Sequence, residues 1–213
     1  MRASGLPRRN DRDPRWEPSA CRGQAAIDLR HHNRALDKLT QIQHQLEADV
    51  RDLEQTLKRI EASEATIPPA QKADANDKLQ TARAKLNQCN QKIIGTKNSI
   101  SGIEHEEQSA EQLKPDQRDV HVICSLCKGS ITDLDLVKRS GKHATVFEAK
   151  SSVGAVKAEQ IRTQIVAAKA LYGSASTIML ALPTLSARDR QILNEKFAAA
   201  NMDVPSVTEI TAE

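Results

Sequence analysis

The stretch "ITDLDLVKRSGKHATVFEAKSS", residues 131–152, sets two β-branched, apolar runs on either side of Gly141-Lys142 and carries Asp133, Asp135, Glu148 and Lys150 inside them. Charge placed in strands is costly to bury unless it is paired or holds a cation. A Gly-X pair suits the two-residue type II′ turn, which puts Ser140 opposite His143 and carries the register outward. Val137 then meets Val146, Asp135 meets Glu148 and Asp133 meets Lys150. The two-residue period of a strand gathers those six residues on one face and Leu134, Leu136, Phe147 and Ala149 on the other, so the second face is predicted to turn to the core.

Two carboxylates directly opposed in a sheet repel each other by about 4 kcal/mol at an effective dielectric near 20. A hard divalent cation offsets that repulsion, since Mg²⁺ is usually held by one or two carboxylates and keeps waters for phosphate oxygens. Lys150 on the same face would position or deprotonate an attacking water. The chemistry this implies is metal-assisted phosphodiester hydrolysis. Taken on spacing alone, the same residues fit a half-exposed hairpin with a surface ion pair between Asp133 and Lys150 equally well.

Around this stretch the sequence reads as short strands and helices. Strands are predicted at "VHVICSL" (120–126), "SITDLDLV" (130–137) and "HATVFEAK" (143–150). A helix over 154–172, the apolar run "STIMLALP" (176–183) and a helix over 186–200 follow. Residues 113–213 therefore form one small α/β domain, a mixed sheet with flanking helices.

Residues 24–112 follow a different period. Leu36, Gln43, Val50 and Leu57 recur every seven residues, with Leu39, Leu46, Leu53 and Ile60 three residues later, the seam of a coiled coil. Pro68 and Pro69 break it, and Leu79, Leu86, Ile93 and Ile100 with Ala82, Cys89, Thr96 and Ile103 form a second seam. Two such helices joined by a short loop fold back as an antiparallel hairpin. Its role is that of a spacer, a partner-docking arm or a dimerisation device, or simply of a hairpin packed on itself. Cys89 fits the seam as a small apolar residue, and His44 and His105 are expected at the surface. Residues 1–23, rich in arginine but broken by acids and prolines, read as a disordered tail without an apolar leader or a membrane span.

Asp135, followed thirteen residues later by Glu148-Ala149-Lys150, resembles the motif of the PD-(D/E)xK nucleases, the restriction-endonuclease-like superfamily. The order helix, three strands, helix, strand around it is similar too, over about residues 115–185. The resemblance implies that Asp135, Glu148 and the backbone carbonyl of Ala149 ligate Mg²⁺ or Mn²⁺ and that Lys150 orients the water. It makes Asp133 an accessory acid. The helix after the motif lies beside the active site in such enzymes, which makes Lys157, Gln160 and Gln164 substrate-contact residues; a solvated face accounts for them as well.

Composition narrows the substrate. With 2% aromatic residues the chain has no stacking platform for single strands, so recognition falls to cations on the phosphate backbone, Lys128, Lys138, Arg139, Lys142, Lys157 and Arg162 among them. DNA is the first expectation and structured RNA, as cut by toxin-type nucleases, the second. The competing reading from another class is a non-catalytic interaction protein in which the coiled coil does the work. His121, Cys124 and Cys127, with His143, carry soft-ligand types, but a single CxxC lacks the second pair that a structural zinc takes. Four cysteines without a disulfide pattern and a net charge of +3 fit a cytoplasmic protein with a mixed surface.

Overall fold

The computed structural model describes residues 16–20, 24–62, 68–124 and 129–211. Within it two compact units meet in sequence at Ile103/Glu104. One is the helical hairpin, made by α1 (Gln24–Ala62) and most of α2 (Pro69–Leu113). Pro69 opens α2, where its missing N–H has no helical partner to lose. Both expected seams are the packed ones, with Val50, Leu57, Leu79 and Ala82 buried and Leu53, Ile60 and Leu86 against them. The seam is thus satisfied within one chain. Gln43 donates to Asn90 (3.0 Å), Arg83 to Glu54 (2.8 Å) and the Cys89 thiol to the Leu39 carbonyl (3.5 Å), which gives an antiparallel pairing.

The second unit is an α/β layer structure on a six-stranded sheet whose spatial order is its sequence order. The strands are β1 (Trp16–Ala20), β2 (Gln117–Cys124), β3 (Ser130–Ser140), β4 (His143–Ala149), β5 (Thr177–Pro183) and β6 (Ser206–Ile210). The first four run antiparallel, and β4, β5 and β6 are parallel. Each parallel step needs a crossover, supplied by α3 (Ala158–Tyr172) and α4 (Ala187–Ala199).

Several expectations are corrected here. The segment Trp16–Ala20, read as part of a disordered tail, pairs with β2. The edge strand β6 was not legible, because Ser206–Ile210 is short and half polar. The helix expected from residue 154 begins at Ala158, after a single 3₁₀ turn at Val153–Ala155, so Lys157 is its cap. His105 is buried rather than exposed: its Nε2–H donates to the Ala181 carbonyl (3.1 Å).

Both faces of the sheet are covered. Val137, Val146 and Leu180 pack with Ile161 and Ala168 of α3 and with Leu193 and Phe197 of α4. On the other side Leu136, Phe147, Ala149 and Ala181 pack with Ala110 and Leu113 of α2. Strands buried on both faces cannot keep a polar face, so the single apolar face expected for the β3–β4 hairpin is replaced by two. Leu134 lies with the α3 side while Leu136 lies with the α2 side, a slip in alternation. It coincides with Asp119 on β2, which holds a left-handed backbone (φ 52) between the pairs Arg118↔Leu136 and Val120↔Leu134.

Candidate functional site

The turn at Gly141-Lys142 forms as the sequence implies. Gly141 has φ 60 while Lys142 is not among the left-handed residues, the combination of a type II′ turn. Ser140 pairs with His143 and Val137 with Val146, and the ladder runs on to Leu136↔Phe147. Beyond that pair the Asp135 side chain replaces the strand's own bonding. Its Oδ2 accepts from the Ala149 N–H (3.0 Å) and from Lys150 Nζ (3.1 Å).

Lys150 Nζ is the centre of the site. It lies 2.5 Å from Glu148 Oε1, 3.1 Å from Asp135 Oδ2 and 3.0 Å from the Ala149 carbonyl. Those three oxygens belong to the residues that the resemblance assigns to a metal. The Glu148 side chain is 1% exposed and that of Asp135 15%. Burial pushes Glu148 up to about 7, with the Asp135 charge adding to it and Lys150 pulling back. Asp135 is raised mainly by burial, against Lys150 and the Ala149 N–H. Burial by itself would lower Lys150, but the two carboxylates outweigh it and hold the ammonium above the usual lysine range.

The helix α3 supports this cluster from one side. Gln160 Nε2 donates to Glu148 Oε1 (2.9 Å), and Gln164 Nε2 donates to Glu148 Oε2 in a short contact and to the Asp133 carbonyl (2.8 Å). Gln164 is fully buried, so it is not part of a solvated stripe, and its Oε1 has no hydrogen-bond partner. Lys157 is exposed at the helix cap and stands apart from the cluster in its bonding.

Asp133 does not join Asp135. It is exposed, lies opposite His121 on β2, and its Oδ1 takes the His121 ring Nδ1 in a short contact. The β2–β3 register accounts for this, since His121 is the direct cross-strand partner of Asp133 while Asp135 bonds toward β4. His143 sits opposite Ser140, at the turn end of the hairpin, so it is not a partner for His121. Cys127 and Lys128 lie outside the described residues.

Two acidic residues that sequence reasoning missed complete the cluster. Glu106 of α2 is pushed up to about 8, first by burial, then by the charge of Asp135 and a hydrogen bond with Asp119. The signal for Glu106 was the charged pair Glu106-Glu107 at the end of a coiled-coil pattern, where Glu107 turns out to pair with Arg118 (2.9 Å). Only the packing of α2 on the sheet brings Glu106 to Asp119 and Asp135.

Three carboxyl groups, those of Asp135, Glu148 and Glu106, thus lie in the field of one ammonium. The donors facing that ammonium are hard oxygens, two from carboxylates and one from a backbone carbonyl, which suit hard ions such as Mg²⁺ or Mn²⁺. Loss of the protons that burial holds on Glu148 and Glu106 would leave a negative excess for such an ion to offset, and the residues therefore fit it. Among the described residues no three His, Cys, Asp or Glu side chains form a metal-ligand group, so a cation here would rely on the backbone oxygen and on water.

No protein-family model matches the chain, and no curated protein matches its sequence. Among solved structures it is similar to the crystal structure of protein VC1899 from Vibrio cholerae, with 8% sequence identity and a TM-score of 0.32. That alignment covers 92% of this chain and 55% of the other, so the chain spans about half the length of that protein. A likeness at this level carries no statement about function. Among the described residues no helix is long and apolar enough to cross a membrane.

Proposed function

We propose that this chain is a metal-dependent nuclease of the cytoplasm that hydrolyses phosphodiester bonds of DNA. The observation that supports the reading is the convergence of Asp135 Oδ2, Glu148 Oε1 and the Ala149 carbonyl on one cationic centre. A bound Mg²⁺ or Mn²⁺ supplies Lewis-acid polarisation of the phosphate and acidification of a water. Asp135, Glu148 and the Ala149 carbonyl are the residues that would hold it.

The chain's own groups do the positioning. Gln160 and Gln164 fix both oxygens of Glu148, so the carboxylate keeps one orientation. Lys150 retains its proton at neutral pH, so it acts as a donor that orients the attacking water and offsets charge on the phosphate, not as the base. DNA is preferred because the chain has almost no aromatic residues to stack unpaired bases and relies on cations for the backbone.

The test is cleavage of plasmid DNA and of total RNA by the purified full chain with Mg²⁺, Mn²⁺ or EDTA, beside Glu148→Ala and Lys150→Ala. Metal-dependent cutting of DNA, lost in both variants, is the expected result. Cutting of RNA alone would reassign the substrate, and no cutting of either polymer under any metal would overturn the nuclease reading in favour of a docking module.

A further inference from the structure

At the opposite end of the β3–β4 hairpin lies a cavity of about 360 Å³, formed where the Gly141-Lys142 turn meets the last residues of α3. Arg139, Lys142 and His143 come from the hairpin, and Leu171, Tyr172 and Gly173 close it from the helix side. Arg139 and Asp135 are four residues apart on β3, roughly 13 Å at the usual rise per residue, so this cavity is separate from the carboxylate cluster.

The charges in the cavity are all of one sign. No carboxylate lines it, and among the described residues none forms an ion pair with Arg139, Lys142 or His143. The neighbouring Lys138 is used by the fold, its Nζ donating to the Leu113 carbonyl (2.9 Å). The end of α3 contributes only about half a negative charge, less than the two formal cations. Asp116 Oδ2 accepts from the Arg139 backbone N–H (2.6 Å) without forming an ion pair with its guanidinium, so it offsets the charge only in part, and like charges gathered in one concavity raise the potential there for an anion.

The geometry is also prepared. The Arg139 guanidinium lies over the Tyr172 ring, 5.3 Å from its centroid, and the Tyr172 hydroxyl donates to Gln117 Oε1 (3.1 Å). Stacking of this kind holds the guanidinium plane and leaves its N–H edge for bidentate contact with a tetrahedral oxyanion. The wall is built by close backbone approach: a Cβ on Gly173 (φ 98) would come 2.7 Å from the Lys142 carbonyl oxygen. The volume lies near the low end of small-ligand sites, roughly 300–1,000 Å³.

We infer that this cavity is a phosphate-binding site, with Arg139 and Lys142 as its charged contacts and His143 as a further donor, sized for a phosphate group carried on a mononucleotide. The inference does not rest on the carboxylate cluster, none of whose residues it uses, although Arg139 and Lys142 are among the cations that the sequence offers to a nucleic-acid backbone. The phosphate has two sources, a free small ligand or one unit of a nucleic-acid backbone.

Backbone amide spectra of the ¹⁵N-labelled full chain, recorded in EDTA, test it. Inorganic phosphate, adenosine 5′-monophosphate, adenosine and a short DNA duplex are each titrated into the parent chain and into Arg139→Gln/Lys142→Gln. The expected result is saturable shifts at residues 139–143 and 171–173 with a phosphate-bearing probe and none with adenosine. The double variant, with its other amide signals in place, weakens binding at least tenfold. Shifts with phosphate and the mononucleotide assign a free ligand, and shifts with the duplex alone assign a polymer; either supports the site. No shifts there with any probe, or shifts unchanged in the double variant, overturn it.

Discussion

Lys150 Nζ sits 2.5 Å from Glu148 Oε1, and the two side chains stand at one end of β4 with Ala149 between them in sequence. One part-buried ammonium thereby serves two carboxylates, that of Glu148 buried and that of Asp135 part-buried, since Asp135 Oδ2 lies 3.1 Å from the same nitrogen. Removing the ammonium strands both acids.

Lys150→Met is therefore expected to lower the stability of the metal-free chain by about 2–4 kcal/mol at pH 8, somewhat under the usual cost of breaking a buried pair. The discount reflects the 22% exposure of the Lys150 side chain. The loss shrinks at pH 5, where the acids take up protons. Denaturant melts at the two pH values check this, and an unchanged midpoint at pH 8 would mean that the ammonium does not hold the carboxylates.

Stability should fall as pH rises across the neutral range. Glu148 and Glu106 titrate near 7 and near 8 in the fold, above the ordinary value of 4.5. Between 4.5 and those values the folded chain binds more protons than the unfolded one, so unfolding becomes easier with increasing pH. The contribution is complete below 4.5 and lost through about 7 to 8. Thermal melts from pH 5 to pH 9 should show a declining Tm, with a shallower slope in Glu106→Gln and in Glu148→Gln. A slope identical in all three proteins contradicts the assignment.

Gln164→Leu removes both donations from the buried amide, leaving one oxygen of Glu148 without its donor while the Asp133 carbonyl keeps the Thr132 hydroxyl (3.3 Å). The expected cost is about 1–3 kcal/mol, partly offset because the orphaned Oε1 disappears as well. Gln160→Leu, which severs one partly exposed bond to the same carboxylate, should cost less. Urea midpoints of the two variants give the order directly.

The two glycines that flank the basic cavity should respond unequally to alanine. Gly141 (φ 60) has open space around its missing side chain, so Gly141→Ala carries only the left-handed backbone cost of about 1–2 kcal/mol. Gly173 (φ 98) adds the 2.7 Å clash with the Lys142 carbonyl, which is backbone and cannot rotate away. Gly173→Ala should thus destabilise more, and a smaller effect than at Gly141 would show that the turn can yield.

What the sequence alone determined was what depends on local period and local turn chemistry. The seven-residue recurrence through Val50, Leu57, Leu79 and Ala82 defines the helical hairpin, because neighbours on a helix face are three and four residues apart whatever lies beyond. Gly141 sets the β3–β4 register, and that register with the spacing of Asp135, Glu148 and Lys150 brings the three together. What only the tertiary structure decided was which faces are covered and by what. The packing of α2 carries Glu106 to Asp119 and buries His105, neither of which any local pattern marks. The packing of α3 turns Gln164 from a surface amide into a buried clamp on Glu148. The antiparallel pairing of β2 with β3 sets Asp133 opposite His121, whereas Asp135 bonds to Lys150 and the Ala149 N–H. Burial and charge proximity are sums over elements distant in sequence, and so they exist only once the chain has folded.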